Sequence, residues 1–96
     1  MKVLVKPFGA IRQILDGKRE VQYVLDKDAT ISDLILRIAS DTEKVKDYVC
    51  KDKDCTHLND KIIILVNGVS IGFKELDKIK LKDGDVVSLM PFVSGG

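Results

Sequence analysis

From Lys2 to Phe8, Val3 and Val5 alternate with Leu4 and Lys6, and Pro7 follows where a strand would end or lie at an edge. That stretch is read as a first strand. Ile11, Ile14 and Leu15 fall at helical spacing between Ala10 and Leu15, with Gly17 just beyond, which predicts one or two helical turns. Between Glu20 and Asp26, Val21, Tyr23 and Leu25 alternate with Gln22, Val24 and Asp26, the period of a half-buried strand that pairs back on the first. The strongest helical signal begins at Thr30. Asp33 stands three residues on, a variant of the capping box, and Ile31, Leu34, Ile35 and Ile38 repeat at i, i+3, i+4 and i+7. This stripe predicts burial against a sheet, with Ser32, Arg37 and Ser40 toward solvent.

Asp41 to Asp60 is charged and poorly periodic apart from Val45, Tyr48 and Val49, and is read as a brief extension of the helix followed by a loop without a strand. Lys61 to Val66, apolar without a break from Ile62, reads as a strand buried on both faces. Asn67-Gly68 is a strong hairpin signal, with Val69 to Ile71 as the short return strand. Asp83-Gly84 marks another turn, and Val86 to Phe92 supplies the last strand, ending at or soon after Pro91. Two strands, one long helix and returning strands make an α+β layer of the β-grasp (ubiquitin-like) type: a mixed sheet with one main helix on one face. In that arrangement the first and last strands lie centrally and parallel. The chain end then leaves from a rigid element.

Length changes the picture by excluding a deep catalytic cleft: 96 residues without a composition break read as one domain, 1–96, with a flexible tail over about residues 92–96. A net charge of +1 offers no broad electrostatic footprint for nucleic acid or an anionic membrane. Neither a secretory signal nor an apolar run long enough to span a bilayer is found, so a cytoplasmic location is expected. No phosphate-binding glycine loop, paired carboxylates in a cleft or Ser/His/Asp arrangement is present, and an independent enzyme is not expected.

Candidate chemistry concentrates at the end, Val93-Ser94-Gly95-Gly96. A terminal pair of glycines arises by chance about half a percent of the time. Without Cβ atoms such a tail can thread a narrow channel and bring the Gly96 carboxylate to a partner's active site. A carboxylate is a poor electrophile, but adenylation by ATP makes it an acyl donor. A persulfide can then attack and leave a thiocarboxylate on Gly96.

Phe8 through Leu15 with Gly17, Val66-Asn67, Leu81-Lys82-Asp83-Gly84-Asp85-Val86-Val87, and Pro91 followed by Val93-Ser94-Gly95-Gly96 together resemble the small subunit of molybdopterin synthase, in the family that includes the thiamin sulfur carrier. The resemblance covers most of the chain. It departs at Phe92, where the family usually has a second proline, and between Cys50 and His57, where most members are shorter. It implies a sulfur carrier rather than an enzyme, with no resident cofactor. A ubiquitin-activating-type adenylyltransferase would use ATP on Gly96. The thiocarboxylated tail would then dock in the molybdopterin synthase large subunit and pass sulfur to a pterin precursor in molybdenum or tungsten cofactor synthesis. By position the family's docking patch falls on Phe8, Met90 and, less directly, Ile71, with Phe92, Val93 and Ser94 as further partner-facing residues and Gly95 grouped with Gly96 in the reacting end. Core packing is the competing role for the patch. For Met90 strand parity favours an open face shared with Ser88, opposite Val87 and Leu89.

Cys50, Cys55 and His57 are weak metal candidates, since a structural zinc site wants four ligands at more regular spacing. A partial site, a redox pair and unconnected loop thiols remain open, with unconnected thiols favoured. Lys78, Lys80 and Lys82 form a strip read as a solvated edge that resists strand pairing. Three functions remain: sulfur carrier for the pterin, with thiamin and tRNA thiolation as alternatives; modifier joined to lysines; and a binding module that would tolerate loss of Gly96.

Overall fold

In the computed structural model, residues 1–72 and 75–92 are described. The elements are β1 (Lys2–Pro7), α1 (Gly9–Ile14), β2 (Val21–Val24), α2 (Ile31–Asp41), α3 (Lys44–Val49), β3 (Ile62–Val66), β4 (Val69–Ser70), a 3-10 turn (Leu76–Lys78) and β5 (Val86–Pro91). The five strands form one sheet in the order β2-β1-β5-β3-β4. β1 and β5 run parallel in its centre, with Leu4 opposite Val86 and Pro7 opposite Leu89, and the remaining pairs are antiparallel. This is the mixed β-grasp sheet that the pattern predicts.

The helices cover one face. Alternation puts Val3, Val5, Tyr23, Ile62, Ile64, Val87 and Leu89 beneath them, where they meet Ile11, Ile31, Leu34, Ile35, Ile38, Val45 and Val49 in one buried cluster. Helix α2 starts where its cap demands: Thr30 Oγ1 accepts from the Asp33 amide at 3.2 Å, and Asp33 Oδ2 accepts from the Thr30 amide at 2.8 Å. It stops at Asp41. Val45 and Val49 belong to α3, a separate helix and not an extension, because Thr42 leaves helical geometry and the chain turns before Lys44. The long loop after α3 also carries an isolated antiparallel bridge, Cys50 to Leu58.

Two burial expectations are corrected. Ser32 is buried rather than solvent-facing, because its hydroxyl donates to the Cys55 carbonyl at 2.6 Å and the Asp54 carbonyl at 3.1 Å. Strand β3 is not buried on both faces: Ile62 and Ile64 are in the core while Ile63 and Leu65 are half-exposed, since no layer covers the far side of the sheet among the described residues. The hairpin at Asn67-Gly68 forms as expected, with φ of 52° and 84°, the left-handed pair that a tight two-residue turn needs. Asn67 also donates through Nδ2 to buried Asp85 at 2.9 Å and accepts at Oδ1 from the Val86 amide at 2.9 Å. Asp85 Oδ2 in turn accepts from the Lys82 amide at 2.8 Å. These bonds give a structural role to several residues that carry the family resemblance.

Candidate functional site

The chain approaches its end along β5, the middle of the sheet. Phe92 is exposed, and its amide donates to the Lys61 carbonyl at 2.7 Å, which fixes the last described residue beside the entry to β3. Val93, Ser94, Gly95 and Gly96 lie outside the described residues. On the other flank, Gly9 meets Pro91 so closely that a Cβ there would come within 2.9 Å of Pro91 Cγ, and its φ is +59°. A side chain at residue 9 would therefore push on the strand that delivers the tail.

Met90 lies on the open face, as its parity predicts: it is half-buried, while Val87 and Leu89 point into the core. Its partner across the sheet is Ile63. The parallel register of β1 and β5, continued one residue past Pro7 and Leu89, sets Phe8 on Met90's other side, where the Phe8 amide donates to the Leu89 carbonyl at 2.9 Å. Phe8, Met90 and Ile63 thus form a half-buried apolar row across the sheet near the chain's exit. Leu4, Val86 and Leu65 extend the apolar character of this face away from the exit. Arg12, one helical turn after Phe8, places its guanidinium carbon 5.3 Å from the Phe8 ring centroid and donates from Nε to the Pro7 carbonyl at 3.1 Å.

Ile71 is withdrawn from this patch. It is buried in the core, and its amide donates to the Ile64 carbonyl at 3.2 Å, so the turn carries its side chain beneath the sheet. Sequence reasoning missed Ile63, Leu65 and Arg12. The unbroken apolar run of β3 hid its two faces, whereas the i, i+4 spacing of Phe8 and Arg12 was a usable signal.

The cysteines are also corrected. Cys50 and Cys55 are not unconnected thiols: they form a disulfide, with Cα atoms 5.1 Å apart. The physical cause is a tight loop in which Cys55 takes φ of +54° and folds back onto the end of α3. Beside it, Asp52 accepts from the Thr56 amide at 2.9 Å and from the Thr56 hydroxyl, and His57 Nδ1 lies 3.2 Å from Asp52 Oδ2. The Thr56 hydroxyl, then His57, hold the Asp52 carboxyl well below the usual carboxylate range. Among the described residues no group of three or more His, Cys, Asp or Glu side chains is arranged to hold a metal ion. Nor is any described helix long and apolar enough to cross a membrane.

A five-stranded β-grasp sheet with helices on one face and β1 and β5 parallel at its centre defines the class as small ubiquitin-like proteins. The ThiS family matches residues 5–96, and the chain belongs to that family. It is 26% identical over 97 residues to small archaeal modifier protein 3 of Haloferax volcanii, covering 100% of both chains. Among solved structures it resembles SAMP1 of Haloferax volcanii, with 28% identity, a TM-score of 0.78 and full coverage of both chains. It also resembles a putative molybdopterin converting factor subunit 1 of Pyrococcus furiosus, with 36% identity, a TM-score of 0.72, and coverage of 97% of this chain and 99% of that one.

Proposed function

We propose that the chain carries sulfur as a thiocarboxylate on Gly96 and delivers it in the synthesis of the molybdenum or tungsten cofactor's pterin. The observation that carries this reading is the extent of the family match, which runs through residue 96 and so includes Gly95-Gly96. The chemistry follows from the carboxylate. One of its oxygens attacks the α-phosphate of ATP on a ubiquitin-activating-type adenylyltransferase, pyrophosphate leaves, and an acyl-adenylate forms. A persulfide sulfur then attacks the acyl carbon, AMP leaves, and a thiol reductant cleaves the resulting acyl disulfide to give the thiocarboxylate. ATP is consumed in the partner and stays with neither protein. The row of Phe8, Met90 and Ile63 supplies apolar docking area next to the exit, for the activating enzyme first and a synthase large subunit afterwards.

The name of the Haloferax volcanii relative, a modifier protein, favours a second reading in which the same acyl-adenylate is captured by a lysine amine to give an isopeptide. Intact-protein mass spectrometry separates the two. The chain is incubated with ATP, an activating enzyme and a sulfur donor. The sulfur-carrier reading expects a gain of about 16 Da at Gly96, distinguished from side-chain oxidation by fragmentation and alkylation. Isopeptides at lysines without that gain would move the assignment to modification. No change with an enzyme that demonstrably activates a close relative would overturn both.

A further inference from the structure

The loop between α3 and β3 is covalently closed at one end and hydrogen-bonded to the chain's exit at the other. The Cys50 amide donates to the Lys46 carbonyl at the end of α3, and the disulfide joins Cys50 to Cys55. Within the loop the Lys51 amide donates to the His57 carbonyl at 2.9 Å, and the Cys55 amide to the Asp52 carbonyl at 3.3 Å. Ser32 of α2 holds the Cys55 carbonyl, and the Leu76 amide donates to the Thr56 carbonyl at 2.8 Å. At the far end the Asn59 amide donates to the Val49 carbonyl at 2.8 Å. The Asn59 carbonyl accepts from Ile62 and its side-chain oxygen accepts from the Lys61 amide, each at 3.1 Å. Lys61 then accepts from Phe92. A connected run of bonds therefore links the disulfide to the residue from which the tail departs.

Part of the loop is open to solvent and part is strained. Lys51, Lys53 and Asp54 are exposed, and Cys55 stands in a left-handed conformation that residues other than glycine resist. A cross-link opposes both by removing open conformations of the loop. We propose that the Cys50–Cys55 bond is a reducible clamp that sets the order of residues 50–61 and, through Asn59 and Lys61, the geometry with which the chain leaves at Phe92. Its reductant is a dithiol. One thiolate attacks the sulfur of Cys50, the less buried of the two residues, and Cys55 leaves as a thiolate and takes a proton. The second thiol of the reductant then displaces Cys50, which is protonated in turn. The protein gains two electrons and two protons, and the reductant becomes a disulfide.

The test is residue-resolved amide hydrogen exchange on the full chain, oxidised and after dithiothreitol, with Cys50→Ser/Cys55→Ser as a permanent open form. Alkylation should find no free thiol before reduction and two after it. Exchange at Lys51, Cys55 and Asn59 should rise about tenfold or more on reduction, and at Phe92 severalfold, with Leu34 and Ile38 of α2 unchanged. Two free thiols in the protein even after mild oxidation, or equal loop exchange in both states, would overturn the clamp. A faster loop with an unchanged Phe92 would overturn its link to the exit. Should the double variant fail to fold, the dithiothreitol comparison on the native sequence decides alone. One readout rests on the proposed activation: ATP–pyrophosphate exchange with the activating enzyme should differ about threefold between the two redox states. Equal rates would overturn the functional consequence. Absence of exchange in both states would count against the activation chemistry, while the clamp is still judged by its amides.

Discussion

Met90 sits between Phe8 and Ile63 on a sheet face that no described helix covers, and each of the three is half-buried. A charge introduced at such a place stays in water in the free protein and is forced out of it when a partner docks. Met90→Glu or Ile63→Glu should therefore weaken association with the activating enzyme by about tenfold or more, while changing unfolding free energy by no more than about 1 kcal/mol. Parallel affinity and urea-denaturation measurements check this, and global unfolding of either variant would assign the residue to the core. The family resemblance singled out Met90, and strand parity gave its open face. Ile63 was not, because its neighbours Ile62 and Ile64 are equally apolar, and only the pairing of β3 with β5 shows which side chains face solvent.

Among the elements, α2 is the most locally determined. Its reciprocal cap satisfies two amides that the helix itself leaves unpaired, so Thr30→Ala should cost about 1 kcal/mol, read as a lower thermal midpoint with an unchanged fold. The 50–60 loop is the opposite case, held by side-chain bonds and the disulfide. The Asp52 carboxyl titrates below the ordinary value of 3.8, chiefly because Thr56, and then His57, bond its ionised form. Both folded and unfolded states are ionised above that pH, and the contribution is complete there. As pH falls below 3.8 the unfolded chain takes up the proton first and the contribution is lost. Asp52→Asn should accordingly be less stable than the native sequence near neutrality, with the difference narrowing in acid. Denaturation curves at pH 7 and pH 2.5 test this, and a difference that does not shrink would remove Asp52 from that role.

For the whole molecule, the decisive feature is the parallel pair β1 and β5 at the sheet's centre, which leads the chain to its end from the most supported strand. Among the described residues the buried cluster reaches no further along the chain than Leu89. Deletion of Gly96 should abolish adenylation completely and leave the thermal midpoint within about 2 °C of the native chain. ATP–pyrophosphate exchange and calorimetry measure the two halves. An active deletion variant would overturn the carrier and modifier readings together and leave a binding module.

The strand order, the capped start of α2 and the Asn67-Gly68 turn were determined by the sequence itself, because periodicity, capping and turn conformation act over a few neighbouring residues. Tertiary structure decided what depends on residues distant along the chain. Ser32 became a buried donor because the loop carbonyls of Asp54 and Cys55 arrive above α2. Ile71 went to the core because the β3–β4 hairpin turns it inward, and Cys50 and Cys55 became partners because the loop doubles back through a left-handed residue. Each outcome requires two segments to meet, and composition and spacing carry no record of that meeting.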